Sequence, residues 1–175
     1  MLKISTLEEL IDCFEDTDCA KQIGVLKNLD IPIEEFRKHA VWKKDCYTRV
    51  CIARRDEFEF ILLCWDKGAK TPIHDHNGQD CWVYQVEGSA VEIRFDVEDT
   101  EFSNPEEINL EEGKFTYMHD RMGFHSIENR SNSKAMTLHI YANPIDECKV
   151  FNEEANCFET KEMQYDAVLE EISFK

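Results

Sequence analysis

No run of apolar residues in this sequence is long enough to cross a bilayer, and the opening stretch MLKISTLEELIDCFED holds no apolar core of the kind a secretory signal needs. The expected compartment is therefore the cytoplasm. Basic residues are also in short supply, 20 Lys and Arg against 37 Asp and Glu, for a formal net charge of −17 at pH 7. Such a field repels phosphate backbones and anionic lipid, so neither a nucleic-acid nor a membrane partner is expected. A small anionic ligand would need a local cation of its own. Glycine and proline are sparse, 6 and 4, with no linker, repeat or low-complexity tract, which points to one domain over residues 1–175. Cysteine is plentiful at 8, but CxxC is missing. The nearest pair, Cys46 and Cys51, suits neither a zinc knuckle nor a redox motif. The thiols read as reduced, with Cys13, Cys19, Cys51, Cys64 and Cys148 as small core residues.

What is present suffices for a packed core. The chain has 175 residues, 42% of them hydrophobic and 11% aromatic. Residues 1–45 read as helical. Ser5 and Thr6 can cap STLEELIDCFED, whose Leu7, Leu10, Ile11 and Phe14 fall on one face. CAKQIGVLKNL and, after Pro32, IEEFRKHAVW predict two further short helices. From Tyr47 the period changes to two. YTRVCIAR, FEFILLCW, CWVYQVEG, SAVEIRFDV, KFTYMHD, HSIENRS, AMTLHIYAN and CKVFN predict strands, and NCFETKEMQYDAVLEEISFK adds an edge strand or two. In SAVEIRFD, Val91, Ile93 and Phe95 share one face while Glu92, Arg94 and Asp96 share the other. The expected fold is mainly β, a jelly-roll barrel or sandwich over 46–175 with short N-terminal helices.

Chemistry concentrates in HDHNGQDC, residues 74–81. On an extended strand His74 and His76 point to the same side, and His125, in GFHSIEN, could close a triangle on one metal. Neutral imidazoles suit iron, zinc, copper or nickel alike. A lone histidine is more often a satisfied core or surface residue; an HxH bracketed by Gly68 and Gly88 with a distant third His favours a metal. Cys81 stands an odd number of residues from both histidines, so facing the same interior requires a bulge, for which Asn77-Gly78 is the natural place. In TLHIY, Thr137, His139 and Tyr141 share one strand face, either turned to water or lined up inside the barrel as a hydroxyl–imidazole–phenol relay. Arg49, in YTR, is either a solvated rim residue or the cation that an anionic substrate requires.

These residues together resemble the thiol dioxygenases of the cupin superfamily, and among them the cysteine dioxygenases, over roughly Tyr47 to Phe151. The Gly68-to-Gly88 segment matches the first cupin motif with Cys81 in place of its glutamate, and His125 with Asn129 matches the end of the second. The resemblance implies iron ligands at His74, His76 and His125 and one Fe(II) per chain. It further implies a carboxylate-binding Arg49 beside Tyr47, a Thr137–His139–Tyr141 relay with Thr replacing the family's Ser, and a thioether crosslink between Cys81 and Tyr141. The family's Ser-Pro-Pro after the tyrosine is here Ala142-Asn143-Pro144, which removes a rigid proline from that turn. The implied reaction adds both atoms of O2 to the sulfur of L-cysteine, giving cysteine sulfinic acid, in a monomeric enzyme. The alternatives are a dioxygenase for another small thiol acid such as 3-mercaptopropionate, a non-enzymatic metal-binding or sensor cupin, and a catalytically dead relative.

Overall fold

The computed structural model describes residues 3–15, 24–98 and 101–169. Helix α1 (Leu7–Glu15) starts where the sequence predicts. The Thr6 hydroxyl accepts the Glu9 N–H at 3.1 Å, and Glu9 reaches back to the Ser5 N–H at 2.7 Å, a capping-box arrangement that satisfies two otherwise orphaned donors. Of the second predicted helix, residues 24–26 are helical and 16–23, with Cys19, lie outside the described residues. The third is shorter than its pattern suggests. Helix α2 spans only Ile33–Arg37, with Pro32 as its N-cap. Among the described residues no helix is long and apolar enough to cross a membrane.

Eleven strands follow among the described residues: β1 (Tyr47–Arg54), β2 (Glu59–Trp65), β3 (Cys81–Glu87), β4 (Ser89–Glu98), β5 (Glu101–Glu111), β6 (Phe115–Met118), β7 (Phe124–Glu128), β8 (Ala135–Tyr141), β9 (Glu147–Asn152), β10 (Cys157–Glu162) and β11 (Ala167–Val168). One sheet runs β11-β1-β2-β8-β3-β6. The facing layer contains β5-β4-β7 and the pair β9-β10. Backbone bridges from the 70–74 segment to Glu128 and His125 on one side and to Val150 on the other stitch that second layer together.

Both faces of the six-stranded sheet are covered, which is why all seven residues of β2 and of β8 are buried. The outer side of β2 and β8 (Phe60, Leu62, Leu138, Ile140) packs on Leu7, Leu10, Phe14 and Phe36 of the helices, with Phe14 edge-on to Phe60 at 4.9 Å. The opposite side (Ile61, Leu63, Trp65, Cys81, Tyr141) faces the second layer. Of the cysteines read as core, Cys51, Cys64 and Cys148 are buried and Cys13 is half-buried.

Strand β5 is the element that periodicity misses. It carries four glutamates and Pro105 in EFSNPEEINLE, a composition that argues against a strand when taken alone. It forms because it is an edge, paired only with β4, where charge and proline are tolerated and block further pairing. Pro105 and Asn104 (φ 49°) sit in a bulge between the Arg94–Glu106 and Asp96–Ser103 pairs.

Candidate metal centre and its surroundings

The HDH segment joins the second layer rather than forming an early part of β3. The His74 N–H donates to the His125 carbonyl at 2.9 Å and the His125 N–H returns to the His74 carbonyl at 3.1 Å. This antiparallel pair puts both side chains on the same face, and His76, two residues on, joins them. The Asp75 N–H bonds to the Lys149 carbonyl at 3.1 Å and its carboxylate accepts the Lys149 N–H at 2.8 Å, so the segment is held on both flanks. Gly123 permits β7 to begin where it does. It has φ 95°, and a Cβ there would lie 2.2 Å from the Phe95 carbonyl oxygen.

Asn77 and Gly78 make a tight turn, not the bulge that side-chain parity suggests. Their φ angles are 52° and 79°, and the Gln79 N–H closes on the His76 carbonyl at 3.0 Å, as in a type I′ turn. Asp120 anchors it through the N–H groups of His76 and Gly78. The parity argument fails because the histidines lie in one sheet and Cys81 opens a strand of the other.

The three imidazole donor atoms lie within 4.8 Å of one another, and the His76 and His125 Nε2 atoms are 3.1 Å apart. Metal–nitrogen bonds of about 2.0–2.1 Å place neighbouring donors roughly 3 Å apart, so the cluster has the dimensions of a metal triad. Two tautomers follow from hydrogen bonds. His74 Nδ1 donates to the Pro72 carbonyl at 3.0 Å and His125 Nδ1 to Glu92 Oε1 at 2.8 Å, which leaves both Nε2 lone pairs free for a cation. Burial and the neighbouring His125 lower His74 to about 3, so it is neutral and competent as a ligand at physiological pH.

Glu92 is the functional residue that sequence reasoning passed over. It is fully buried, and its second oxygen takes bonds from Arg94 at 3.0 Å and Thr116 at 2.8 Å. Burial works to raise its pKa, but the His125 bond and charge and the Arg94 ion pair outweigh it and hold the carboxyl down to about 2. The alternation in SAVEIRFD shows two faces; nothing in it says that the charged one turns inward. Glu92→Gln should weaken metal binding by about ten- to a hundredfold, the usual effect of losing an outer partner. Metal titration of the folded variant checks this, and unchanged affinity would remove Glu92 from the site.

Across the barrel, the six-stranded sheet presents Arg49, Leu63 and Thr137 as one row of paired residues and Glu59, Tyr141 and Cys81 as another. Thr137, His139 and Tyr141 are all buried, so this polar face lies inside. Thr137 Oγ1 contacts His139 Nε2 at 3.0 Å and accepts from Trp65 Nε1 at 2.8 Å. The next link of the expected relay is a stack rather than a bond, with the His139 and Tyr141 rings 6.4 Å apart. Cys81 and Tyr141 are direct cross-strand partners. Tyr47, Arg49, His74, His139, Tyr141 and Cys148 line one cavity. Arg49 Nη2 is buried there without a partner, while Nη1 contacts the Met163 sulfur at 2.6 Å. Burial pushes the Cys148 thiol up to about 11, so it stays protonated as part of the wall. Asn129 serves the fold, donating to the Asp66 and Ser133 carbonyls.

The family model for cysteine dioxygenase type I matches residues 3–154. The chain belongs to this family. Membership makes it an oxygenase enzyme, in agreement with the site. Among curated relatives, it is 29% identical over 164 residues to cysteine dioxygenase type 1 of Rattus norvegicus, covering 87% of this chain and 82% of that protein. It is 26% identical over 177 residues to that of Danio rerio, covering 94% and 88%. Among solved structures, a Thermus thermophilus protein aligns with a TM-score of 0.52 at 21% identity, over 62% of this chain and 93% of that one. A Klebsiella pneumoniae protein described as having a double-stranded β-helix domain aligns with a TM-score of 0.51 at 11% identity, over 61% and 85%. Likenesses at that identity speak to fold alone, and the fold is the expected cupin barrel with short N-terminal helices.

Proposed function

We propose that the chain is a non-haem Fe(II) dioxygenase that converts L-cysteine and O2 to cysteine sulfinic acid, with one iron per chain held by His74, His76 and His125. The observation that carries this reading is that His74, one member of the three-histidine cluster, lines the same pocket as Arg49, whose guanidinium holds a buried nitrogen without a partner. Three neutral imidazoles bring no charge to the metal, so a site of this kind favours an anionic ligand supplied by the substrate. When bound, Fe(II) supplies the activation of O2 and stabilises the substrate as thiolate.

The remaining work belongs to the chain. Arg49 holds the carboxylate through a charge-assisted bond in a protein whose overall charge opposes anions. Tyr141 directs its hydroxyl at the reacting sulfur, and its ring is kept in place by the Cys81 contact on one side and His139 on the other. Thr137 and Trp65 fix the His139 ring in turn. The surrounding aromatic and aliphatic wall excludes bulk water. Both oxygen atoms end on the substrate sulfur, so the thiolate becomes a sulfinate with no external reductant.

Oxygen uptake and sulfinate formation by the iron-loaded protein, with cysteine, 3-mercaptopropionate and cysteamine compared, test this reading. Cysteine should be the preferred substrate, and no uptake with any thiol despite bound Fe(II) would reject it. The Cys81–Tyr141 pair adds a separate expectation. A thioether between the sulfur and the phenol ring forms with loss of two hydrogens, O2 being the oxidant, and reduces the freedom of the ring. Peptide mapping after turnover should find the two peptides joined and lighter by two hydrogens. Fully active, turned-over protein with the pair unlinked would sink that expectation.

A further inference from the structure

Glu59 is a buried carboxylate that the proposed chemistry does not use. It is inaccessible to solvent and lies on β2 directly opposite Tyr141, on the flank away from Cys81. Its two oxygens go to two different pieces of chain. Oε2 accepts the Ile145 N–H at 3.2 Å, just past the turn that follows Tyr141. Oε1 accepts from Arg54 Nη1 at 3.0 Å and from the Tyr165 hydroxyl.

Each of those partners leads to one wall of the pocket. The Tyr165 ring lies under the Arg49 guanidinium, 5.9 Å from its carbon. Arg54 Nη1 also donates to the Tyr165 hydroxyl at 2.8 Å, and Nη2 to Asp146 Oδ1 at 2.7 Å. The Met163 N–H closes on the Asp146 carbonyl at 2.7 Å, and the Asp166 N–H on the Arg49 carbonyl at 2.7 Å. Met163 in turn touches Arg49 and Cys148 through its sulfur. The turn itself has few other ties: the Ala142 N–H to the Asp80 carbonyl at 3.0 Å and Asn143 Nδ2 to Gln79 Oε1 at 2.9 Å.

We propose that Glu59, with Arg54 and Tyr165, is a positioning bridge that couples the turn behind Tyr141 to the 163–166 segment behind Arg49, so that both walls of the pocket are set by one buried carboxylate. A fully buried carboxylate is costly unless every oxygen is bonded, and here both oxygens are. Ordering two segments on one anchor also means that loosening it loosens both. The inference rests on the dioxygenase reading for its kinetic consequences but not for its structural ones.

Hydrogen exchange of the intact protein is the structural test. Glu59→Ala should speed exchange at Ile145 and across 163–166 by about tenfold or more, as loss of a charge-assisted bond implies, with α1 unchanged. Glu59→Gln should restore protection at Ile145, because an amide oxygen still accepts, but not at 163–166, where the amide NH2 meets Arg54. Tyr165→Phe should affect 163–166 alone, and these two variants carry the test if Glu59→Ala does not fold. In the iron-loaded enzyme Tyr165→Phe should raise KM for cysteine severalfold with kcat within about twofold, while loss of Glu59 should lower kcat as well. Unchanged exchange in both segments, or an equal rise everywhere including α1, would overturn the bridge. Wild-type protein inert toward every thiol, with the exchange pattern as described, would instead reject the enzyme reading and leave the bridge standing.

Discussion

His125→Ala is expected to yield a folded protein that retains no iron and has no dioxygenase activity. His125 is fully buried and pairs backbone to backbone with His74; those main-chain bonds do not depend on its side chain, so the second layer stays joined. What is lost is one of three nitrogen donors and the group through which Glu92 acts. Loss of an outer partner alone costs up to about a hundredfold in metal affinity, so loss of a donor should exceed that. Differential scanning gives a second readout. Metal at a thousand times its dissociation constant stabilises a folded protein by about 4 kcal/mol, and the shift should be present in the wild type and absent in the variant. A variant that binds iron like the wild type would dissolve the triad.

Arg49→Ala is expected to separate binding from chemistry. A charge-assisted bond of about 1.5–3 kcal/mol corresponds to a rise in KM for cysteine of roughly ten- to a hundredfold, with a smaller change in kcat, the pattern of lost uniform binding. Cysteamine, which lacks the carboxylate, should be used as poorly by the variant as by the wild type. Arg49→Lys should recover little, because a lysine ammonium cannot reproduce the planar pair of donors. An unchanged KM for cysteine would leave the buried Nη2 without its assigned partner and would favour a substrate without a carboxylate.

Much of this was legible in the residues. YTRVCIAR reads as a strand and is one over the same residues, because β-branched residues dominate its middle and turn residues bound it. HDH announces a metal because spacing of two on extended chain is a purely local geometric fact. TLHIY is half legible. Its alternation separates two faces, but whether the Thr-His-Tyr face meets water or a cavity depends on a layer contributed by residues distant in sequence. Glu92 and Glu59 were hidden for the same reason in sharper form. A glutamate on a strand reads as solvent-facing, since burial of an unpaired charge is prohibitive; only the arrival of His125 and Arg94 at one, and of Arg54, Tyr165 and Ile145 at the other, reverses that rule.

The sequence by itself determined the family, the ligand types, the cation available for a carboxylate and the order of nearly all the strands, because each of these is carried by residue chemistry or by local periodicity. The tertiary structure decided which faces turn inward, that Cys81 meets Tyr141 across neighbouring strands of the six-stranded sheet, and that His125 closes on His74. Those outcomes depend on pairing between segments tens of residues apart, whose register is set by closure of two layers around a shared interior and by no short-range signal.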